Sequence, residues 1–272
     1  MRLGHIGYSL VLLALVGCGG TSGDTSVSGT DASSIQSAPA GVATLQFLDL
    51  MVLRPDMVSS GTTLPTGITA GTPSAGATRY TFVNVASANA GALSGTIDIT
   101  SATAGGTTTY TEAIHLTDVP KGSTTTTWVY DGVQQVAVTG NQALYSLPNG
   151  GQPISLTYVD STNATNDKTY TYTPSPDPAN MPLTLTWSGS GSALTVTVTG
   201  KYLVAQTVPA SDAKVLTSTI SPAVVWTPAC TYPTSGTLTL SISTSSSTAT
   251  VDFNTGTCGQ VNINGAKVTL GS

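Results

Sequence analysis

The chain has 272 residues, a formal net charge of −5 and a pI near 4.6, and only 8% of its residues are charged, against roughly 25% in an average soluble domain. That composition excludes the basic footprint of a nucleic-acid-binding protein. The length suffices for one large or two small domains.

The chain opens with Met1 to Ser9, a short segment carrying Arg2 and His5. An apolar run follows from Leu10 to Val16. It is too short to span a bilayer, which needs about 20 apolar residues, and it has the layout of a secretory signal peptide. The run ends in Leu15-Val16-Gly17-Cys18, which resembles the lipobox of bacterial lipoproteins. The resemblance covers the first 20 residues and implies cleavage between Gly17 and Cys18, making residues 1–17 a signal peptide. Cys18 would then carry a diacylglyceryl group and an N-acyl chain. Two or more acyl chains give stable anchoring, at about 0.8 kcal/mol per buried CH₂. Gly19, rather than Asp, follows the cysteine, which resembles the outer-membrane class. The competing reading is an ordinary secreted protein with a cysteine near the cleavage point.

Residues 18–40 are rich in Gly, Ser and Thr and nearly devoid of large apolar side chains, the composition of a flexible tether. Leu45, Phe47, Leu48, Leu50, Met51, Val52 and Leu53 then form a dense apolar run that fits a short helix or a buried strand. Residues 59–77 read as a loop. Beyond them an alternation of apolar and polar residues dominates. It is seen at Ile154, Leu156 and Tyr158, at Tyr170 and Tyr172, and at Leu183, Leu185 and Trp187. Leu194, Val196 and Val198 continue it, as do Leu238, Leu240 and Ile242. Period two with Thr and Ser between predicts antiparallel strands with one solvated face. Asp131-Gly132 and Asn264-Gly265 read as two-residue hairpin turns, and Asn149-Gly150-Gly151 as a longer one. No helical stripe follows residue 55. The expected fold is all-β, an antiparallel sandwich or meander.

The prolines at 174, 176, 178 and 182 cannot sit inside a central strand. They suggest a boundary between β domains at 41–175 and 183–272, the alternative being one β domain over 41–272. With Cys18 assigned to lipid, Cys230 and Cys258 remain. An even remainder in an exported protein reads as one disulfide, stabilising by about 3.5 kcal/mol in the chain-entropy model. Free thiols or a metal pair are the alternatives, although two cysteines and one distant histidine make a poor zinc set. The stretch from Cys230 to Leu270 reads as a meander with Ala249, Val251 and Phe253 on one face.

Catalytic signals are weak. Glu112 is the only glutamate and His115 the only histidine beyond the leader. Their Glu-x-x-His spacing matches half of a helical carboxylate metal motif, but on a strand the two side chains face opposite ways. Ser211-Asp-Ala-Lys214 matches Ser-x-x-Lys without the Lys-Thr-Gly element of penicillin-interacting enzymes. No catalytic residue is assigned. The loop containing Asp160, Asn163, Asn166 and Asp167 offers oxygens for calcium, against a plain polar turn. Trp128, Tyr130, Tyr158, Tyr170, Tyr172 and Trp187 could form a ligand face, against the commoner role of buried aromatics. Asn163-Ala-Thr165 is a formal glycosylation acceptor that carries no weight in a bacterium.

These signals point to an outer-membrane lipid-anchored protein of the bacterial envelope. Its expected role is binding or structural, towards envelope proteins or glycans, with no nucleic-acid partner. A glycan- or peptidoglycan-modifying enzyme with an Asp-based site and a surface adhesin are the alternatives.

Overall fold

The computed structural model describes residues 66–74, 76–86, 92–119, 123–149, 151–189, 195–208, 214–227, 233–243, 248–258 and 260–269. The leader, the tether and the apolar run at 45–53 lie outside them. The described residues form fifteen strands of one antiparallel sheet, so the all-β reading holds. The strands are β1 (Ile68–Gly71), β2 (Ala77–Ala86), β3 (Ala92–Ala104), β4 (Thr107–Val119) and β5 (Thr126–Thr139). They continue with β6 (Gln142–Ser146), β7 (Ile154–Asp160), β8 (Lys168–Pro174), β9 (Thr184–Ser188) and β10 (Thr195–Val208). β11 (Lys214–Trp226), β12 (Thr237–Ile242), β13 (Thr248–Asp252), β14 (Gln260–Ile263) and β15 (Ala266–Thr269) complete the set. The only irregular helix among the described residues is a 3₁₀ turn at Ala164–Asn166.

Local chemistry explains the hairpins. Gly105 and Gly106 both have positive φ, 58° and 81°, and turn β3 into β4. Asn264 and Gly265, at 50° and 85°, turn β14 into β15 as expected. A side chain at such positions is strained unless it is Gly or Asn.

Two sequence readings are corrected. Residues 59–77 are not all loop, because β1 lies within them and pairs with β2. Asp131-Gly132 is not a turn. Both residues lie inside the 14-residue strand β5 and stay in register with β4, His115 opposite Asp131 and Ile114 opposite Gly132. Asn149 and Gly151 sit in the connection from β6 to β7, and those two strands each pair with β5.

At Gly132 the far edge of β5 changes partners. Residues 126–131 pair with β7, and residues 135–139 pair with β6. A Cβ on Gly132 would lie 2.8 Å from the Ile154 Cα, so glycine permits the crossing chain. β10 behaves in the same way. Residues 195–199 pair with β9 and residues 202–208 with β8, with Gly200 at the junction (φ +109°). The β10–β11 register shifts between Val198 and Gly200, opposite the stretch holding Pro222, which has no N–H to give the ladder.

Since β7 pairs with β8 and β6 with β9, the strands β5-β7-β8-β10-β9-β6 form a closed circuit of ladders. Alternating residues point into it. Trp128, Tyr130, Ile154, Leu156, Tyr170, Tyr172, Tyr202 and Val204 from one arm share a single buried cluster with Val136, Ala143, Tyr145, Leu185, Val196 and Val198 from the other. β1–β4 extend the sheet beyond β5, and β11–β15 extend it beyond β10. The C-terminal meander follows the expected order, with Ala249, Val251 and Phe253 all buried.

The segment from Pro174 to Pro182 therefore connects strands of one continuous sheet. Ser175 anchors it. This buried residue donates from its N–H to the Lys201 carbonyl and from its Oγ to the Tyr145 carbonyl (2.6 Å). Its Oγ also accepts the Leu183 N–H (2.8 Å).

Candidate functional site

The β7–β8 loop, proposed from sequence as a set of oxygen ligands, is held by its own donors. Asp160 Oδ1 accepts from the Thr162 N–H (2.9 Å) and from the Thr162 hydroxyl (2.6 Å). Its Oδ2 accepts from the Asn166 side-chain amide (2.9 Å). Asp167 Oδ1 accepts the Asp160 N–H (2.8 Å). Asn163 caps the 3₁₀ turn, its Oδ1 accepting from the N–H and hydroxyl of Thr165. Such side-chain-to-backbone bonds are how Asp and Asn build tight turns. The bonds from Asn166 and Thr162 lower the Asp160 carboxyl pKa to about 2. All four residues thus come together in a polar turn, in which both Asp160 oxygens, Asn163 Oδ1 and Asp167 Oδ1 accept bonds from within the loop.

Among the described residues, two side-chain ion pairs lie elsewhere, on the outer face of β2–β5. Arg79 on β2 donates from Nε and Nη2 to the two carboxylate oxygens of Asp98 on β3, at 2.6 and 2.5 Å. His115 on β4 contacts the Asp131 carboxylate on β5 through Nδ1. Both pairs sit directly opposite in the register. Four adjacent strands thus set Arg79, Asp98, His115 and Asp131 side by side, with outward hydroxyls at Thr81, Thr96 and Ser155 in the rank of His115 and Asp131. The Arg79 hydrogen bonds hold the Asp98 carboxyl below the usual range, with a further contribution from His115.

His115 and Asp131 are exposed and present donors and acceptors to solvent. A carboxylate bonded to Nδ1 orients an imidazole. The sequence reading missed Asp131 as the partner of His115 because it assigned Asp131 to a turn. The missed signal is the unbroken even-numbered inward series Trp128, Tyr130, Gly132, Gln134, Val136.

Glu112 lies on the opposite face from His115, as strand geometry requires. It is buried and accepts a bond at Oε2 from the Gln134 amide (2.8 Å). The tyrosines and Trp128 singled out in the sequence fill the core rather than a ligand face. Trp128 contacts Tyr158 and Tyr170 with ring centroids at 5.1 and 6.4 Å. Tyr172 meets Tyr202 edge-on at 5.6 Å, and burial raises the Tyr172 phenol pKa well above its ordinary value. Tyr158 and Trp187 are half-buried against the same cluster.

Among the described residues no three His, Cys, Asp or Glu side chains are grouped to hold a metal ion, and no helix is long and apolar enough to cross a membrane. Of the residues of the expected disulfide Cys258 is described, while Cys230, Cys18 and Ser211-Asp-Ala lie outside the described residues. No protein-family model matches the chain, and comparison with curated proteins and with solved structures likewise finds no match.

Proposed function

We propose that the chain is a bacterial envelope lipoprotein, anchored in the outer membrane through lipidated Cys18, with a non-enzymatic binding or structural role towards envelope proteins or glycans. The lipobox Leu15-Val16-Gly17-Cys18 carries this reading. The tether at 18–40 separates the β body from the bilayer. The cross-strand array Arg79, Asp98, His115 and Asp131 is the surface this reading assigns to a polar partner. A disulfide between Cys230 and Cys258 belongs to the same reading. An exported chain meets the oxidising compartment that such a bond needs. Calcium is left out of it, because both Asp160 oxygens and Asp167 Oδ1 are engaged within their own loop. A melting temperature that rises in millimolar calcium would restore it.

The decisive experiment is metabolic labelling with a fatty-acid probe. Cys18→Ser abolishes labelling and releases the protein from the membrane fraction; unchanged labelling refutes the anchor. Capture from native envelopes with residues 41–272, repeated with Asp98→Ala and Asp131→Ala, tests the assigned surface. A partner retained equally by both variants places recognition elsewhere.

A further inference from the structure

The sheet interior holds a carboxyl group that the proposed function does not use. Glu112 and Gln134 lie directly opposite on β4 and β5 and point inward, each only 2% exposed. Gln134 donates through Nε2 to Glu112 Oε2 at 2.8 Å. The other head-group atom of Gln134, Oε1, is a buried acceptor that receives no hydrogen bond. A buried amide oxygen left without a donor costs about 1–3 kcal/mol. A carboxyl group can bring one donor to it, its own proton.

We propose that Glu112 is held as a neutral carboxylic acid at pH 7. Its O–H donates to Gln134 Oε1 while Gln134 Nε2–H donates to Glu112 Oε2, closing an acid–amide ring across the β4–β5 ladder. The proton comes from solvent, because glutamate in the unfolded chain is ionised above about pH 4.3. Folding of the sheet is therefore coupled to uptake of one proton.

The surroundings favour the neutral form. β3 sets Ile97 and Ile99 beside the pair, and β5 adds Val136, all buried. Burial among such groups disfavours the charged state of a carboxyl. The titratable groups on the same inner face of β4 are Tyr110, two residues before Glu112, and Asp118, six residues beyond it. Asp98, His115 and Asp131 project from the opposite face.

The sign follows from linkage. Above pH 4.3 the native state holds one proton that the unfolded state has lost, so this group's contribution to stability is fully present below that pH. The folded-to-unfolded ratio then falls by up to tenfold per pH unit until the folded carboxyl ionises. The device makes the fold sensitive to alkaline rather than acid conditions at this position.

Glu112 is the only glutamate among 272 residues, so the chain labelled with ¹³Cδ-glutamate gives one side-chain carboxyl resonance. In the folded protein at pH 7 that resonance lies at the carboxylic-acid position and moves to the carboxylate position on unfolding in urea. A carboxylate resonance in the folded protein at pH 7 overturns the proposal, whether or not any variant folds. Glu112→Gln supplies the second readout, since an amide pair keeps both bonds without a proton. Between about pH 5 and 8 the parent loses up to tenfold per unit in folded-to-unfolded ratio relative to this variant. Parallel pH profiles for the two proteins also overturn it.

Discussion

Replacing Ser175 with alanine removes one oxygen and two hydrogen bonds, one to β6 and one at the entry to β9. The Oγ donates to the Tyr145 carbonyl of β6 at 2.6 Å and accepts the Leu183 N–H at the entry to β9 at 2.8 Å. The residue is 8% exposed, so water does not replace either bond without a rearrangement. Each buried backbone group left without its partner costs about 1–3 kcal/mol. The Tyr145 carbonyl has a second lone-pair direction and contributes at the low end. The Leu183 N–H has only one bond to lose and contributes at the high end. The sum is about 3–4 kcal/mol, with the backbone bond from Ser175 N–H to the Lys201 carbonyl surviving in the variant. With a urea m value of about 2–3 kcal/mol/M, the midpoint falls by about 1–2 M at unchanged m. Asn180→Ala is the control. It removes exposed bonds to Asp177 from the same segment and should cost within about 0.5 kcal/mol. A Ser175→Ala loss below about 1 kcal/mol, or one no larger than the control, refutes the view that this serine fastens the segment.

Other outcomes follow from the same geometry. Gly200→Ala places a Cβ 2.0 Å from the Pro182 carbonyl oxygen at φ +109° and should cost about 2–5 kcal/mol by thermal or urea unfolding. Gly76→Ala, at φ +80° with open space around it, should cost about 1–2 kcal/mol. The Asp160 carboxyl falls from 3.8 to about 2 on folding. Its contribution is therefore present above pH 3.8 and lost as pH drops towards 2. Asp160→Asn should lower the melting temperature at pH 7 and converge with the parent near pH 2; an equal offset at both values counts against the loop bonds. Limited proteolysis at the proline segment should not release two independently stable fragments, because β6 pairs with β9 and β8 with β10 across it. Two fragments that separate and each keep a cooperative melt would contradict a continuous sheet.

The sequence made the strands legible wherever alternation was long. Leu185 to Trp187, Val196 to Val198 and Leu238 to Leu240 all lie in strands. The Asn264-Gly265 turn was legible because its chemistry is local. Asp131-Gly132 was not, because the same dipeptide serves two purposes. As a turn it reverses the chain; in β5 the glycine lets Ile154 cross close by while pairing with β4 continues. Long-range pairing decides between them, and no window of sequence contains it. The charge array was hidden for a related reason. Arg79, Asp98, His115 and Asp131 are 16 to 19 residues apart in sequence and become neighbours only once four strands are in register. Glu112 was visible as the lone glutamate, but its partner Gln134 lay just beyond the misread turn.

The closed circuit has a consequence for how the chain is delivered. A polypeptide that emerges N-terminus first presents β5 to β9 while the outer edges of β9 and β8 have no closing partner. One strand, β10, takes β9 along its first half and β8 along its second. Both arms therefore shut in one event, after residue 195 has arrived. Before that moment the chain carries two open strand edges, each a template for pairing with another molecule. A chain interrupted before β10 is an aggregation hazard, whereas a chain interrupted after β11 has already sealed its centre.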